Sequence, residues 1–395
     1  MNKAYLKSRA ILPFRLPGIL KDRLYTKSQE RSFAVYRDAA HVTYCYCRNM
    51  GDTVLSQCVR KTLGKLCGVN TYRIIPVNKS VTEKTVADIN RTGLLVIGGG
   101  GLFLPDTNKN NISGWQWAIP PALLEKIAVP VAIYSVGYNY FRGQTPNALF
   151  EENLRRIVAK SSFVGLRNTG SCRAVKALLG DDIGKSIVFQ PCTTTLIRKI
   201  YTDIPPKKQT GRIGINMAFD RENLRYGDDE DIVLSQVAQA MKELVARGYE
   251  LFCVAHCHAD LKFLPYLRNE NVKFTPVDMS AAFPHAAFDF YNSIDCMFGM
   301  RGHAQMIPFG LNCSVISLVS HEKMRWFLED IDATDWYVEL RREPRSLKTE
   351  IIDTFSRVHE RDGEKTRSRL LAAQDRLWDI TLRNAETIRD IRSRA

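Results

Sequence analysis

Long hydrophobic runs are what this sequence most clearly lacks. None of its apolar stretches reaches 18 residues, whereas a transmembrane helix needs about 20, so no membrane-spanning segment is predicted. The apolar stretch near the start is interrupted by Pro13, Arg15 and Pro17, which excludes the continuous core of a secretory signal peptide. Internal repeats and low-complexity tracts are also lacking. The sequence therefore predicts a folded, cytoplasmic protein.

The ten cysteines form no recognisable framework. They are scattered and lie mostly within apolar runs, whereas disulfide frameworks belong to small secreted domains, so we predict reduced thiols in the core. Cys253, His256, Cys257 and His258 suggest a zinc site. No second Cys/His pair lies at a standard distance, which excludes a structural zinc site. His256, His258 and Asp260 follow a predicted strand and could line a cleft instead. The sequence therefore predicts no metal ion and no cofactor.

Acidic residues are outnumbered. The chain carries 56 Lys and Arg against 42 Asp and Glu, a formal net charge of +14. Residues 1–33 alone hold eight Lys and Arg against two Asp and Glu. This excess suits anionic partners, but no nucleic-acid-binding motif accompanies it. We therefore predict no nucleic acid partner, and expect a phosphorylated substrate and an anionic membrane surface that binds the basic N-terminal segment, 1–34. Simple solubility is the alternative for that segment.

From residue 41 onward, short β-branched and apolar runs alternate with amphipathic patterns. This alternation is typical of parallel sheets flanked by helices. We predict two Rossmann-like βα domains, 35–202 and 211–345, joined by a polar, proline-containing linker, 203–210, with C-terminal helices over 346–395. The predicted strands are 41–47, 94–97, 129–136, 163–166, 188–190, 213–217, 250–255, 296–299 and 314–318. Two such domains suggest an α/β fold in a GT-B-like arrangement, whose ligands bind at the carboxyl ends of strands.

Two glycine-containing segments follow predicted strands. In Asn49-Met50-Gly51-Asp52, the glycine lets backbone approach a ligand, and the start of a helix offers N–H groups to an anion. Equally, Asp52 could cap the helix while Asn49 forms a turn. The second segment contains Gly99, Gly100 and Gly101 and matches neither the dinucleotide fingerprint nor the P-loop. Its backbone must approach either a ligand, which we favour, or a packed helix.

Two arginines and one histidine follow further predicted strands. Arg167 comes directly after strand 163–166, where ligands of such sheets bind, although an exposed arginine usually has no special role. Arg301 and His303 lie among glycines between a strand and a helix. Arginine binds phosphate or carboxylate bidentately, and histidine transfers protons near neutral pH. We therefore predict that Arg301 and His303 face one ligand; the alternative is a structural histidine that caps the helix.

Other polar or aromatic residues near predicted strand ends are weaker candidates for a cleft or acceptor site. Aromatic rings there could stack on a sugar, although most aromatic residues form the core. The aromatic residues near these strand ends are Trp115, Trp117, Tyr138 and Tyr140. The candidates are Asn49, Asp52, Tyr138, Asn216, Arg221 and His256.

Taken in order, these motifs resemble the polysaccharide pyruvyl transferase family over roughly residues 40–330. The resemblance rests on Asn49-x-Gly51-Asp52, the glycines 98–101, Tyr134-Ser135-Val136-Gly137, Leu166-Arg167, Gly299-Met300-Arg301-Gly302-His303 and Lys323. It implies a GT-B-like fold and transfer of the pyruvyl group of phosphoenolpyruvate (PEP) to a sugar. The acceptor would belong to a bacterial surface polysaccharide or its lipid-linked precursor, and the product would be a ketal. The resemblance also implies that Arg301 and His303 engage the donor.

PEP carries a phosphate and a carboxylate, so a site for it needs cations and backbone N–H groups. Arg167, Arg301 and the glycines 99–101 could supply them without a metal. We predict His303 as the proton-transfer group, with Asp52 or a cleft histidine as a second one. Two alternatives stay open. One is a GT-B glycosyltransferase using a nucleotide sugar, with Glu322 holding the ribose; the other is a non-catalytic component of a polysaccharide assembly complex.

Overall fold

The computed structural model describes residues 38–44, 48–341 and 343–394. The predicted basic segment, 1–34, lies outside these residues, as do Cys45 and Cys47. The described residues form two compact units. The N-terminal unit contains residues 38–44, 52–193 and 376–394, and the C-terminal unit contains 48–51, 194–341 and 343–375.

Six parallel strands form the sheet of the N-terminal unit. They are β1 Ala39–Thr43, β2 Tyr72–Pro76, β3 Leu95–Phe103, β4 Val131–Tyr138, β5 Phe163–Leu166 and β6 Ile187–Phe189. Their order in the sheet is β2-β1-β3-β4-β5-β6. The α-helices from here to the second sheet are α1 Met50–Cys67, α2 Glu83–Asn90, α3 Pro121–Glu125, α4 Ala148–Lys160, α5 Thr169–Leu179, α6 Asp181–Gly184 and α7 Ile197–Ile200. The first two residues of α1, and all of α7, belong to the C-terminal unit.

The C-terminal unit repeats this architecture. Its strands are β7 Arg212–Asn216, β8 Glu250–Ala255, β9 Thr275–Asp278, β10 Cys296–Gly299, β11 Ser314–Val319 and β12 Tyr337–Glu339. All pair in parallel, in the order β12-β11-β10-β7-β8-β9. Its α-helices are α8 Glu222–Tyr226, α9 Glu230–Ala246, α10 Leu264–Asn269, α11 Pro284–Asn292, α12 His303–Gly310, α13 Glu322–Asp330 and α14 Leu347–Phe355. A final helix, α15 Gly363–Ser393, has residues in both units.

The central strands have the composition that burial on both faces requires. In β3, Leu95, Val96 and Ile97 are fully buried, and Ile213 and Ile215 of β7 are too. Parallel strands covered by helices on both faces are continuously apolar rather than alternating, which is why the sequence shows them clearly. The predicted α/β class, with two parallel sheets and a helical C-terminal segment, is confirmed.

Three strands were missed, and all three lie at sheet edges: β2, β9 and β12. Edge strands are short and incompletely covered, so they show a weaker hydrophobic signal. Two of them contain a proline, Pro76 and Pro276, which sequence patterns disfavour inside strands. The predicted strand 94–97 was expected to stop before the glycines. This was wrong, because β3 continues through them to Phe103.

The two units divide between Thr193 and Thr194. The predicted linker, 203–210, follows this division and has no regular helix or strand. The predicted domain bounds stay predictions. Among the described residues, no helix combines the length and apolarity needed to span a bilayer.

Candidate functional site

In the C-terminal unit, Arg301 is bound by two carboxylates. It follows β10 by two residues, and its side chain is 13% exposed. Its Nε lies 2.8 Å from Oδ2 of Asp260 and its Nη2 lies 2.6 Å from Oδ1. Its Nη1 lies 2.7 Å from Oδ1 of Asp220. These contacts use three of the five N–H groups of a guanidinium. The edge formed by Nε and Nη2 is therefore occupied by the carboxylate of Asp260.

The pKa values in this cluster favour the charged forms. Burial acts to lower the pKa of Arg301, but Asp260 and Asp220 raise it above its ordinary value. Burial likewise acts to raise the pKa of Asp220, but Arg225, Arg301 and Lys323 lower it. In both cases opposite charges outweigh desolvation. Arg301 and Asp220 are therefore ionised at neutral pH.

Asp260 ties together the ends of three neighbouring strands. Its Oδ2 accepts hydrogen bonds from Asn216 Nδ2 at 3.1 Å and from the backbone N–H of His256 at 3.1 Å and Cys257 at 3.2 Å. Asn216 ends β7, His256 follows β8, and Arg301 follows β10, in the sheet order β10-β7-β8. Asn216 Oδ1 in turn accepts from the backbone N–H of Arg301 at 3.2 Å. The carboxyl edge of this sheet is therefore fixed by one buried acid.

His303 is the first residue of α12, and its ring lies against Gly51. The helix cap position is Gly302, with no side-chain cap, so the alternative of a helix-capping histidine is wrong. A Cβ on Gly51 would lie 2.5 Å from His303 Nδ1 and 2.7 Å from its Cβ, closer than real atoms approach. Both residues belong to the C-terminal unit. The glycine of the Asn49-x-Gly51-Asp52 motif therefore makes room for the predicted proton-transfer group.

The cap of α1 also differs from the alternative drawn from the sequence. Asn49 Oδ1 accepts a hydrogen bond from the backbone N–H of Gly51 at 3.0 Å. Asp52 lies inside the first turn of the helix. The capping side chain is therefore Asn49 and not Asp52.

His256 is buried and neutral. Its Nε2 lies 2.6 Å from the hydroxyl of Tyr291, and burial lowers its pKa to about 4. Cys253, also buried, lies within β8, and His258 Nδ1 lies 3.0 Å from Asp278 Oδ2, so these candidate zinc ligands have different environments. With a pKa of about 4, the protonated form of His256 is rare at pH 7, so His256 is a poor general acid there.

Arg221 joins the edge of the same cluster. Its Nη1 lies 2.9 Å from Oδ2 of Asp220, and its backbone has a left-handed φ of 57°. Arg225, which is 2% exposed, also contacts Asp220 through Nη2 at 3.0 Å. Asp220 is therefore shared by three guanidinium groups.

In the N-terminal unit, Arg167 has no such partners. Its side chain is buried, with the residue 5% exposed. Its Nη2 donates to Oδ1 of Asn139 at 2.7 Å, and its Nε has no hydrogen-bond partner among the described residues. None of the described carboxylates forms an ion pair with it. Burial lowers the pKa of Arg167, while Cys192 and Asp52 act in the opposite direction.

The predicted glycines 99–101 have different surroundings. A Cβ on Gly99 would lie 2.9 Å from Cγ of Leu55 on α1, so the packed-helix alternative describes this residue. A Cβ on Gly101 would lie 2.6 Å from Cγ of Asn139, so this glycine makes room for the partner of Arg167. A Cβ on Gly100, where φ is +118°, would lie 3.8 Å from Leu102 and 3.9 Å from Asp52. Of the three, Gly100 is the one with space beside it.

Tyr138 is the aromatic candidate that remains accessible. Trp115, Trp117 and Tyr140 are buried and belong to the core, as the alternative for such residues holds. Tyr138 is partly exposed at the end of β4. Its ring stacks on that of Tyr140 with centroids 4.7 Å apart, and its backbone N–H donates to Ser171 Oγ at 3.0 Å. Its orientation is therefore fixed.

The structure places the predicted residues in two groups, one in each unit. Arg301, His303, Asn216, Arg221 and His256 lie in the C-terminal unit, and Arg167, Asp52, Tyr138 and the glycines lie in the N-terminal unit. Asp220 and Asn139 were not predicted as site residues, and Asp260 was predicted only as a residue that could line a cleft. They follow the ends of β7, β4 and β8 respectively, which was a usable signal, but their partners are distant in sequence.

Several solved structures share the fold at low sequence identity. S. aureus MnaA with UDP matches with a TM-score of 0.52 and 10% identity, over 84% of this chain and 90% of that chain. A glycosyltransferase from Rickettsia africae ESF-5 matches with a TM-score of 0.53 and 13% identity, over 90% of this chain and 99% of that chain. UDP-GlcNAc 2-epimerase from Neisseria meningitidis bound to UDP-GlcNAc matches with a TM-score of 0.50 and 10% identity, over 88% of this chain and 100% of that chain. These similarities show the fold alone, and they confirm the predicted GT-B-like class.

Sequence comparison identifies the family. No curated protein matches the chain significantly. The family model of polysaccharide pyruvyl transferases matches residues 49–322, which is more than half of the 395 residues. This range includes the Asn49 motif, the glycines, Arg167 and the Arg301–His303 turn, in the order that the sequence analysis used. The chain belongs to the polysaccharide pyruvyl transferase family.

Proposed function

We propose that the protein transfers the pyruvyl group of PEP to a sugar of a surface polysaccharide or its lipid-linked precursor, forming a ketal. The observation that carries this proposal is Arg167, a buried cation whose side-chain partner is a neutral amide. Burying a charge is costly unless it is paired. Arg167 therefore favours an anionic ligand, and PEP supplies both a phosphate and a carboxylate.

The proposed donor contacts keep the residues predicted from the sequence. Arg301 has two N–H groups beyond those used by Asp260 and Asp220. Lys323 adds a further cation, because its Cε would lie 4.0 Å from a Cβ on Gly302 and so passes close to the Arg301–His303 turn. No metal or cofactor is invoked in this proposal.

The transfer proceeds in two stages. A proton adds to the methylene carbon of PEP, and a sugar hydroxyl attacks the neighbouring oxocarbenium-like carbon while losing its own proton. The bond from this carbon to the phosphate oxygen then breaks, phosphate leaves with the electron pair, and a second hydroxyl attacks and loses its proton. The two hydroxyl protons lost balance the one gained by carbon and the one gained by phosphate. We assign the proton transfers to His303, held beside Gly51, because they require a group active near neutral pH.

The acceptor side of the proposal rests on Tyr138. Its partly exposed ring, fixed by Tyr140 and Ser171, offers the flat apolar surface on which a sugar ring stacks. A lipid-linked acceptor would be presented at a membrane, and we propose that the basic segment 1–34 binds its anionic surface at the cytoplasmic face.

A donor panel tests the proposal. Because a ligand that binds only the native state stabilises it, PEP should raise the melting temperature of the full chain, whereas nucleotide sugars should not. Arg167→Gln should abolish this shift. The matched control is Arg156→Gln, which removes an exposed arginine of α4 paired with Glu152 and should leave the shift intact. Stabilisation by UDP-sugars alone would instead support the nucleotide-sugar glycosyltransferase.

A further inference from the structure

We propose that Asp260 is a positioning residue for the transfer reaction, acting through Arg301. The inference rests on the proposed function and deepens it. Asp260 lies in the 3-10 turn His258–Phe263, directly after β8, and its side chain is fully buried. Asp260 differs from the groups assigned above to donor binding and proton transfer, because its side chain contacts protein groups and is not exposed to a ligand.

The contacts of Asp260 fix the guanidinium of Arg301 in orientation as well as in position. Two donors on one edge of the guanidinium, Nε and Nη2, meet the two oxygens of one carboxylate at 2.8 and 2.6 Å. This side-on, bidentate arrangement is the geometrically specific form of an arginine–carboxylate pair. The N–H groups that remain for a ligand are therefore aimed by Asp260.

Asp260 also fixes the backbone of the turn that leads to His303. It accepts from Asn216 Nδ2, so the amide oxygen of Asn216 is turned towards the N–H of Arg301, 3.2 Å away. The neighbouring Met300 N–H donates to the backbone oxygen of Asn216 at 3.1 Å. Asp260 thus holds the side chain of Arg301 directly, and it holds the backbone of Arg301 through Asn216. Arg301 lies two residues before His303.

A positioning role and a purely structural role predict different measurements. If Asp260 only stabilises the fold, its replacement lowers the melting temperature but leaves kcat and the KM for PEP unchanged in the folded protein. If it positions Arg301, its replacement changes these constants in protein that is still folded. Small displacements of catalytic groups are costly because the rate depends on near-attack geometry.

The test is a double-mutant cycle on the full chain with Asp260→Asn, Arg301→Gln and the double variant. Asp260→Asn should lower kcat/KM for PEP at least tenfold in folded protein, verified by circular dichroism. The double variant should be within about twofold of Arg301→Gln, because residues that act through one another are non-additive. The matched control is Asp278→Asn, which replaces a largely buried carboxylate that ends the neighbouring strand β9 and bonds His258; it should stay within about twofold of the parent.

Parental kinetic constants in folded Asp260→Asn, or fully additive losses in the double variant, would overturn the inference. If Asp260→Asn does not fold, Asp260→Glu, which keeps the charge and displaces the oxygens, takes its place. Folded Asp260→Glu should show a raised KM or a lowered kcat, and parental constants there would equally overturn it. The donor panel separates the two proposals: a wild-type protein that does not use PEP refutes the proposed function, and the cycle then runs with the donor that the panel identifies.

Discussion

Arg167 and Arg301 each follow a parallel strand, yet their neighbours are of opposite kinds. Arg167 is buried, and the side chain of Arg301 is 13% exposed. Two carboxylates surround the guanidinium of Arg301, whereas the hydrogen-bond partner of the Arg167 side chain is the neutral amide of Asn139. An ion pair inside a protein fixes the two side chains that form it. A buried charge without an ion partner lowers the free energy of unfolding. Arg301 therefore organises one sheet edge, whereas the side chain of Arg167 is held by a neutral group, and we propose that both contact the donor.

This difference corrects what equal sequence signals suggest. A strand, an arginine and a following helix occur at both positions, so the sequence treats the two residues as similar donor contacts. Contacts distinguish them, because a guanidinium already neutralised by Asp260 and Asp220 gains less from binding a further anion than one without an ion pair. Four predictions test this comparison.

The largest effect is expected for Arg301→Gln. This variant leaves Asp260 buried without its ion partner, so the free energy of unfolding should fall by roughly 3–5 kcal/mol. Urea denaturation measures the change. Arg156→Gln, which breaks an exposed pair, is the control and should change it by less than about 1 kcal/mol. A similar small change in Arg301→Gln would remove Arg301 from the scaffold.

The second prediction concerns the pH dependence of the same cluster. The pKa of His256 is lowered from its ordinary 6.5 to about 4, so between these values the unfolded chain binds a proton that the folded protein does not. Its contribution to stability is therefore complete above pH 6.5 and is lost as the pH falls, by about 3 kcal/mol at pH 4. His256→Gln should flatten the curve of unfolding free energy against pH by this amount. A parental pH dependence in His256→Gln would contradict this assignment.

Arg167→Gln should affect donor binding more than stability. It removes a buried charge that has no ion partner in the described part of the chain, so the free energy of unfolding should not fall by more than about 1 kcal/mol. The affinity for PEP, measured by titration calorimetry, should fall by roughly 1.5–3 kcal/mol, the range for a hydrogen bond to a charged group. Loss of stability with unchanged affinity for PEP would remove Arg167 from the proposed donor site.

The smallest effect is expected for Asn139→Ala, which removes the side chain that accepts from Arg167 Nη2. The guanidinium keeps its charge but loses its orientation, so PEP affinity should fall by about 1 kcal/mol. The same titration checks this. Asn110→Ala, elsewhere in the N-terminal unit and bonded to Trp115, is the matched amide control and should leave PEP affinity at the parental value.

Much of the fold was predictable because central parallel strands are continuously apolar. β5, β8 and β10 have the predicted bounds. The edge strands β2, β9 and β12 were missed, since partial exposure weakens the pattern. The glycines 98–101 were predicted as a segment beyond the strand, but they lie within β3; nothing local to the sequence shows that the neighbouring strand β4 pairs with them.

The sequence by itself determined the α/β class, the family, and the positions of Arg167, Arg301 and His303 after strands, because these depend on local periodicity and motif order. Only the tertiary structure decided which charges meet. Asp260 is 41 residues from Arg301, and Asn139 is 28 residues from Arg167, so no local pattern links them. Parallel sheets bring the carboxyl ends of distant strands to one edge. The partners found there, and not the arginine itself, set whether its charge is neutralised within the protein.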